Sequence, residues 1–112
     1  MAGSSRDVFG ALADPTRRAV LDLLRDTSEL NAGALAAAFP RLSRPAVSKH
    51  LAVLREAGLV RVREEGREWF YALDPVPLAA AYHEWWEQYV PLWDERLARL
   101  KRNAERVRTP RR

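Results

Sequence analysis

A segment near the middle of the chain carries serine hydroxyls and long cationic side chains at helical spacing. Ser43 followed by Pro45 is typical of a helix start, because the hydroxyl accepts from an unpaired first-turn amide and proline needs no donor there. On such a helix Ser48 and Lys49 face away from the apolar residues. Small hydroxyls beside cations meet base edges and phosphates in the major groove, so the pattern indicates binding to double-stranded DNA.

The opposite face of this predicted helix is apolar. Val47, Leu51 and Leu54 fall at positions i, i+4 and i+7, which line one stripe and must be buried. Gly58 suits the left-handed position that ends a helix. The alternative interpretation is a solvated amphipathic helix with ordinary surface lysines, and the flanking segments favour the DNA-binding interpretation.

The segment after the central helix alternates with the strand period of two and predicts a two-stranded hairpin over residues 59–73. From this hairpin Arg61, Arg63 and Arg67 can reach a phosphate backbone or a minor groove. The acidic residues 64–65 at the predicted turn favour the alternative, a plain solvated hairpin.

Two further helices are predicted upstream of the central one. Asp14 and the proline after it are typical of a helix start, and Asn31 can cap a third helix that runs to Phe39. A short turn between the third and central helices forms a helix-turn-helix, and the hairpin makes it winged. Arg17 and Arg18 could touch phosphate, or could form structural ion pairs with nearby Asp or Glu.

The C-terminal third of the chain predicts one long helix. It begins after Asp74, and Tyr, Trp and Leu residues then recur every three or four positions. Pro91 lacks a backbone donor, so we expect a kink or a break there.

This row of Tyr, Trp and Leu side chains is too large for one small domain to bury. We therefore predict that it packs against a second copy of the chain in a twofold dimer. A first short helix, capped by Ser4 or Ser5, is expected to join it. The predicted interface residues are Val8, Phe9, Leu12, Tyr82, Trp85, Trp86, Tyr89, Trp93, Leu97 and Leu100. The alternatives are a helix folded back onto its own core and, for the tryptophans, a small apolar ligand pocket.

Composition limits the remaining classes. The 112 residues predict one domain, the net charge of +4 fits a polyanionic partner, and the absence of cysteine excludes thiol chemistry. The sequence contains no nucleophilic triad or glycine-rich phosphate loop, so an enzyme is not expected. It shows no secretory signal and no apolar run near the roughly 20 residues that span a bilayer, so we expect a cytoplasmic protein without a membrane partner.

Two segments, FGALADPTRRAVLDLL and LSRPAVSKHLAVLREAGLVRVREEGREWFYAL, resemble the ArsR/SmtB family of bacterial winged-helix repressors. The resemblance implies homodimers that bind palindromic operators and repress, often at their own promoter, with an interface built from the first and last helices. Together with wheel position, it assigns base or groove contacts to Arg44, Ser48 and Lys49. His50 is either a phosphate contact or a packing residue. The full predicted DNA-binding set is Arg41, Ser43, Arg44, Ser48, Lys49, His50, Arg55, Arg61, Arg63 and Arg67.

Many relatives in this family release DNA when they bind a metal. The best-known site is a Cys-x-Cys pair after Glu-Leu, and the matching ELNAGAL places Asn31 and Gly33 where the thiolates would be. A second family site uses the last helix, where His83, Glu84 and Glu87 are the candidates and otherwise form a solvated face. The aromatic last helix looks more like the metal-independent autorepressor branch, so neither metal nor cofactor is predicted.

The sequence therefore predicts a mainly α fold with a small β-hairpin (α+β), a winged helix-turn-helix with a long C-terminal dimerisation helix. We expect a single domain, 1–112, with a DNA-binding core at 5–75, a wing at 59–73, a C-terminal helix at 75–106 and a basic tail at 107–112. The predicted function is a homodimeric repressor that binds an inverted-repeat operator without a metal. The alternatives are a metal- or small-ligand-responsive repressor and a winged-helix protein-interaction module.

Overall fold

Helices and a small sheet alternate along the first part of the chain, and two further helices follow. The computed structural model describes residues 8–108, with α1 described over residues 8–12. The later elements are α2 (Pro15–Arg25), β1 (Leu30–Asn31), α3 (Ala32–Ala38), α4 (Arg44–Glu56), β2 (Val60–Glu65), β3 (Glu68–Leu73), α5 (Pro75–Glu87) and α6 (Val90–Arg108). The predicted caps at Ser4 and Ser5, and residues 109–112 of the predicted tail, lie outside the described residues.

Polar side chains start four of these helices as predicted. The side chains of Asp14, Asn31, Ser43 and Asp74 accept a backbone N–H two or three residues further on, at 2.7, 2.7, 3.2 and 3.1 Å. Each bond satisfies an amide that has no partner inside its helix, which fixes the first residue of α2, α3, α4 and α5.

The end of α4 is fixed by two backbone bonds around a glycine. Gly58 N–H donates to the Arg55 carbonyl and Leu59 N–H donates to the Leu54 carbonyl, both at 3.0 Å. This is the Schellman pattern, which needs a left-handed residue, and Gly58 has φ of 79°. The chain thereby turns from α4 directly into β2.

The core of the first compact unit lies between α2, α3, α4 and the sheet. The predicted stripe of Val47, Leu51 and Leu54 is buried, with exposed fractions of 4%, 3% and 0%. Leu24 from α2 and Leu35 from α3 are buried against it. Burying the inner face of α4 leaves its outer face in solvent.

The sheet has three antiparallel strands in the order β1-β3-β2, where two strands were predicted. Leu30 pairs with Tyr71 and Asn31 with Phe70, so β1 lies on the far side of β3 from β2. Two residues are too few to show alternation, which explains why β1 was missed. The hairpin turn is the two-residue loop after Glu65, whose first residue, Gly66, has φ of 64°. A glycine of positive φ at that position is what a type II′ hairpin turn requires.

The segment predicted as one helix over 75–106 forms two. Helix α5 ends at Glu87 and α6 begins at Val90. The expected break is present, and it lies before Pro91 because this residue cannot donate to the Glu87 carbonyl and its ring clashes with that group. Residues up to Ala81 belong to the first compact unit, and residues 82–108 are described as a second. Within residues 8–108, no helix combines the length and apolarity needed to cross a membrane.

Candidate nucleic-acid interface

The outer face of α4 presents the side chains that were predicted to meet DNA. Arg44, Ser48 and Lys49 are all exposed on it, as are Arg41 and Ser43 at its start. In the described part of the chain no ion pair holds Arg44 or Lys49. The structure therefore leaves a hydroxyl and two cations on one solvent-facing surface.

His50 lies at the edge of this face and is half-buried against the start of α2. Its Nδ1 is 3.3 Å from Nη1 of Arg17. Because a guanidinium has no acceptor, His50 Nδ1 is the acceptor in this bond and the ring hydrogen is on Nε2. The same Arg17 donates through Nε to the Ala11 carbonyl at 2.7 Å.

Arg17 and Arg18 bind the end of α1, and among the residues that the structure describes they form no ion pair with Asp or Glu. Arg17 also donates to the Gly10 carbonyl at 3.2 Å, and Arg18 donates to the Leu12 carbonyl at 2.6 Å. The last carbonyls of a helix lack internal partners and carry partial negative charge, so guanidinium groups stabilise them. These two arginines thus fasten α1 to α2.

Two grooves border the wing and α4, and Trp69 of β3 is in contact with both. A groove of about 480 Å³ has Arg44 and Arg67 among its lining residues, and one of about 630 Å³ has Ser48 and Arg55. Trp69 lines both. The Arg55 guanidinium lies 5.0 Å from the centre of the Trp69 ring, a cation–π distance that holds the cation beside the groove. Four of the predicted DNA-binding residues, Arg44, Ser48, Arg55 and Arg67, therefore line these two adjoining grooves.

Arg63 is the predicted wing residue with the most protein partners. Its Nη2 donates to Glu29 Oε1 and its Nη1 to Glu65 Oε1, both at 2.5 Å. The hydrogen bonds that Arg63 donates to Glu29 and then to Glu65 raise the pKa of Arg63 above its ordinary value. The hydrogen bond from Arg63 lowers the pKa of Glu29, outweighing the opposing effect of burial.

The other two wing arginines are freer. Arg61 is 4.0 Å from Asp74 and its side chain is 71% exposed. Arg67 is exposed in the two-residue turn, and in the part of the chain that the structure describes it has no ion pair. Of the predicted wing residues, Arg67 is thus the one most available to a phosphate.

The aromatic residues of the second unit stack on one another and remain exposed. Trp86 and Trp93 stack at 5.2 Å across the break between α5 and α6, and Tyr82 stacks on Trp86 at 5.8 Å. Trp85 meets Tyr89 edge to face at 5.5 Å. The exposed fractions of the predicted dimer residues in this unit lie between 36% and 64%.

The three α1 residues of the predicted dimer interface differ in position. Val8 is 1% exposed and packs in the core, and Leu12 is partly buried against it, whereas Phe9 is 38% exposed. Val8 and Leu12 therefore stabilise the first unit itself, which a helical pattern alone does not distinguish from an interface stripe.

The residues considered for a metal site are spread along the outside of α5. His83 Nε2 is 2.8 Å from Glu87 Oε2, one turn away, and both side chains are largely exposed. Within the described ranges, no three His, Asp or Glu side chains come together as a metal site. This pair is an ordinary i,i+4 contact on a solvated helical face.

Sequence reasoning missed the roles of Glu29 and Trp69 at this surface. Glu29 is 34 positions from Arg63 and precedes a strand that has no sequence signal. The sequence pattern placed Trp69 only in an alternating strand. A large aromatic side chain exposed on a wing is the signal that would have indicated a binding surface.

Comparison with known proteins agrees with this geometry. Residues 12–63 match the family described as a helix-turn-helix domain. The chain is 38% identical over 72 residues to the transcriptional repressor SdpR of Bacillus subtilis, covering 64% of this chain and 78% of SdpR. It is 41% identical over 75 residues to the arsenical resistance operon repressor of Escherichia coli, covering 66% of this chain but only 63% of that protein.

The structural comparison extends further along the chain. The crystal structure of an ArsR family transcriptional regulator matches with a TM-score of 0.73 at 32% identity, covering 84% of this chain and 94% of that one. The predicted winged helix-turn-helix fold is confirmed, with three strands in place of two. The chain belongs to the ArsR family of winged helix-turn-helix transcriptional regulators, which are DNA-binding proteins and not enzymes.

Proposed function

We propose that this protein is a homodimeric repressor that binds an inverted-repeat operator without a metal. The observation that carries the proposal is the exposed face of α4, where Arg44, Ser48 and Lys49 stand together on a helix whose other face is buried. A rigid helix with such a face suits the major groove, where base pairs present distinct donors and acceptors.

The residues divide into two roles. Lys49 and Arg44 are long enough to bind guanine O6 and N7, and Ser48 can bind a base or a phosphate. The cations at the margin, Arg55 and Arg67, are placed for phosphates, which set position and orientation but not sequence. This division predicts that loss of a central residue changes sequence preference and loss of a marginal one does not.

The exposed aromatic surface of the second unit supports the homodimer. Trp93 is 42% exposed, and Leu97 and Leu100 on the same helix are 57% and 64% exposed. Such a stripe of apolar residues on one helix is costly in water and is a common interface for a second copy. A twofold dimer presents two recognition helices roughly 34–36 Å apart, which implies an inverted repeat.

The position of Asn31 supports regulation without a metal at the third helix. Its side-chain oxygen accepts from Ala34 N–H at 2.7 Å, and its side-chain nitrogen donates to Glu68 at 2.6 Å. Both polar atoms of this side chain therefore have protein partners, and the chain has no cysteine to supply a thiolate. An arsenic or zinc response of the thiolate type lacks its ligands here.

A small-ligand response is the second candidate. A cleft of about 270 Å³ in the second unit is lined by Tyr89, Leu92, Trp93 and Arg96. Three apolar walls beside one guanidinium suit a small apolar anion. Such a ligand would compete with a second copy of the chain for the same aromatic residues, which would couple ligand binding to dimer formation.

The test is a fluorescence-anisotropy titration of the protein against DNA from upstream of its own gene, with scrambled DNA of equal length as the control. We expect tight binding to the upstream DNA, unchanged by added zinc or by a chelator. Each titration is repeated at several salt concentrations, because the phosphate contribution falls steeply with salt whereas base contacts do not.

The outcomes separate the candidates. Equal, weak binding to both DNAs that vanishes at moderate salt contradicts a sequence-specific repressor and favours a protein-interaction module. A change of affinity on adding zinc contradicts the metal-free proposal. Release of DNA by a small aromatic carboxylate such as benzoate, without any effect of zinc, favours the ligand-responsive form.

A further inference from the structure

One guanidinium on the wing donates to the protein through all three of its nitrogens, although the Arg63 side chain is 49% exposed. Arg63 Nε and Nη2 both donate to the carboxylate of Glu29, at 3.4 and 2.5 Å, while Nη1 donates to Glu65. The pairing with Glu29 is a two-pronged fork, the geometry in which arginine binds a carboxylate most specifically. The Arg63 guanidinium thus binds two carboxylates, those of Glu29 and Glu65.

The Arg63 side chain reaches from one edge of the three-stranded sheet toward the other. Arg63 pairs with Phe70 in the register of β2 and β3, and its guanidinium lies 4.6 Å from the centre of the Phe70 ring. Glu29 directly precedes β1, on the other side of β3. The Arg63 side chain therefore passes over the central strand and joins the outer strand of the wing to the segment that leads into α3.

A second tie lies next to the first. Asn31 Nδ2 donates to Glu68 at the start of β3, while the same side chain caps α3. The hairpin is thus held to the segment that leads into α3 at two points, one at Arg63 in β2 and one at Glu68 beside the turn. The wing turn that follows β2 is only two residues long, so its place in space depends on how these strands are held.

We infer that Arg63 is a positioning residue of the wing and not a DNA contact. With Glu29 it forms a brace, the Glu29–Arg63 brace, that sets where the turn and Arg67 stand relative to the recognition helix. This inference rests on the proposed function and deepens it, because it assigns Arg67 and not Arg63 to the phosphate. A phosphate that approached Arg63 would meet two carboxylates, which repel it and already accept from three of the guanidinium N–H donors.

The direction in which Glu29→Gln changes DNA affinity distinguishes a positioning role of Arg63 from a phosphate contact. If Arg63 bound phosphate, Glu29→Gln would remove a competing negative charge and strengthen DNA binding. If the brace positions the wing, Glu29→Gln weakens DNA binding by about threefold to tenfold, and Arg63→Gln does so to a similar extent. The matched control is Glu64→Gln, which removes the same charge from β2 at a residue without an ion pair in the described chain; it should leave DNA binding unchanged or slightly stronger.

The conservative variant gives a second test. Lysine binds phosphate as a point charge but cannot make the two-pronged bond to Glu29. Arg63→Lys should therefore lose as much affinity as Arg63→Gln, whereas a phosphate contact would be largely kept. Arg67→Gln should cost clearly less in the Arg63→Gln background than in the wild type, because the wing turn is already displaced. Equal costs in both backgrounds contradict the brace.

Hydrogen exchange tests the brace without DNA. We expect faster amide exchange in β1 and in the β2–β3 hairpin for Glu29→Gln and for Arg63→Gln, but not for Glu64→Gln. Unchanged exchange in both brace variants overturns the inference. If the wild-type protein does not distinguish its upstream DNA from scrambled DNA, the proposed function fails, and the exchange measurement still decides the brace.

Discussion

Arg17 of α2 and His50 of α4 join these two helices, with Nη1 of Arg17 3.3 Å from Nδ1 of His50. Because Nδ1 accepts, Nε2 carries the hydrogen and is the atom that can donate to a phosphate. The two interpretations of His50, packing and phosphate contact, thus belong to different nitrogens of one ring.

Two amide substitutions separate those nitrogens. His50→Asn places a polar atom near Nδ1 and should keep the free energy of unfolding within about 0.5 kcal/mol while DNA affinity falls. His50→Gln places one near Nε2 and should keep most DNA affinity while stability falls by about 1 kcal/mol, since the Arg17 bond is lost. Urea denaturation and anisotropy titration measure the two effects. If His50→Asn binds DNA as well as the wild type, His50 is a packing residue.

Lys49→Ala and Arg67→Ala should weaken DNA binding in different ways. We propose that Lys49 contacts a base, so its loss should shrink the preference for operator over scrambled DNA by about 1–3 kcal/mol. We propose that Arg67 contacts a phosphate, so its loss should weaken binding to all sequences alike and lower the dependence of log K on log salt by about one. Anisotropy titrations at four salt concentrations give both quantities. An equal loss on every sequence from Lys49→Ala would refute the base contact.

Gly58→Ala should destabilise the fold by about 1–2 kcal/mol, because an alanine there must adopt a left-handed conformation. The added Cβ would also lie 3.4 Å from Pro77 Cγ. The matched control is Gly33→Ala in α3, where the nearest atom to an added Cβ is 3.7 Å away and alanine is the better helix former. That control should be neutral or stabilising. Urea denaturation of the three proteins measures the difference, and equal stabilities would contradict the cap geometry.

Stability should fall on acidification, partly through Glu29. The hydrogen bond from Arg63 lowers its pKa below the ordinary value of 4.5 in the folded protein. The unfolded chain therefore takes up the proton first as the pH falls, so the stabilisation is complete above pH 4.5 and is lost below it. Denaturation midpoints measured from pH 7 to pH 3 should drop less steeply in Glu29→Gln than in the wild type. Parallel curves would show that the brace does not lower this pKa.

Trp93→Ala should shift the protein from dimer to monomer. Trp93 stacks on Trp86 and remains 42% exposed, and buried tryptophans commonly contribute 2 kcal/mol or more, about thirtyfold, to an interface. Val76→Ala, which also removes an exposed apolar side chain, is the control. Sedimentation equilibrium at micromolar concentration measures both. A monomeric wild type, or a Trp93→Ala variant as dimeric as the control, contradicts the aromatic interface.

The features that the sequence predicted correctly depend on residues that are close together in the chain. Asp14, Asn31 and Ser43 each cap a helix by bonding an amide two or three residues away, so a short window suffices to recognise them. The stripe of α4 and the wing strands follow from periodicity in the same way. These features locate the recognition face, because burying one side of α4 leaves the other in solvent.

The features that escaped prediction depend on contacts between distant residues. Strand β1 has two residues and exists only because β3 offers an edge, and the partner of Arg63 is 34 positions away. In the sequence, Arg63 and Arg67 are both arginines of the predicted wing and have the same predicted role. Their different roles become visible only in the folded sheet, where Arg63 binds Glu29 and Arg67 does not. The helix break was expected at Pro91, but the steric conflict acts on the preceding turn and so ends α5 at Glu87.

The most direct test of the account is a hydroxyl-radical footprint of the wild-type protein on DNA from upstream of its own gene. The account predicts two protected patches with inverted sequences whose centres are about one helical turn, 10–10.5 base pairs, or a multiple of it apart. Protection spread evenly along the DNA at concentrations where all of it is bound would mean that only the phosphate backbone is recognised. That result would contradict a dimeric, sequence-specific repressor.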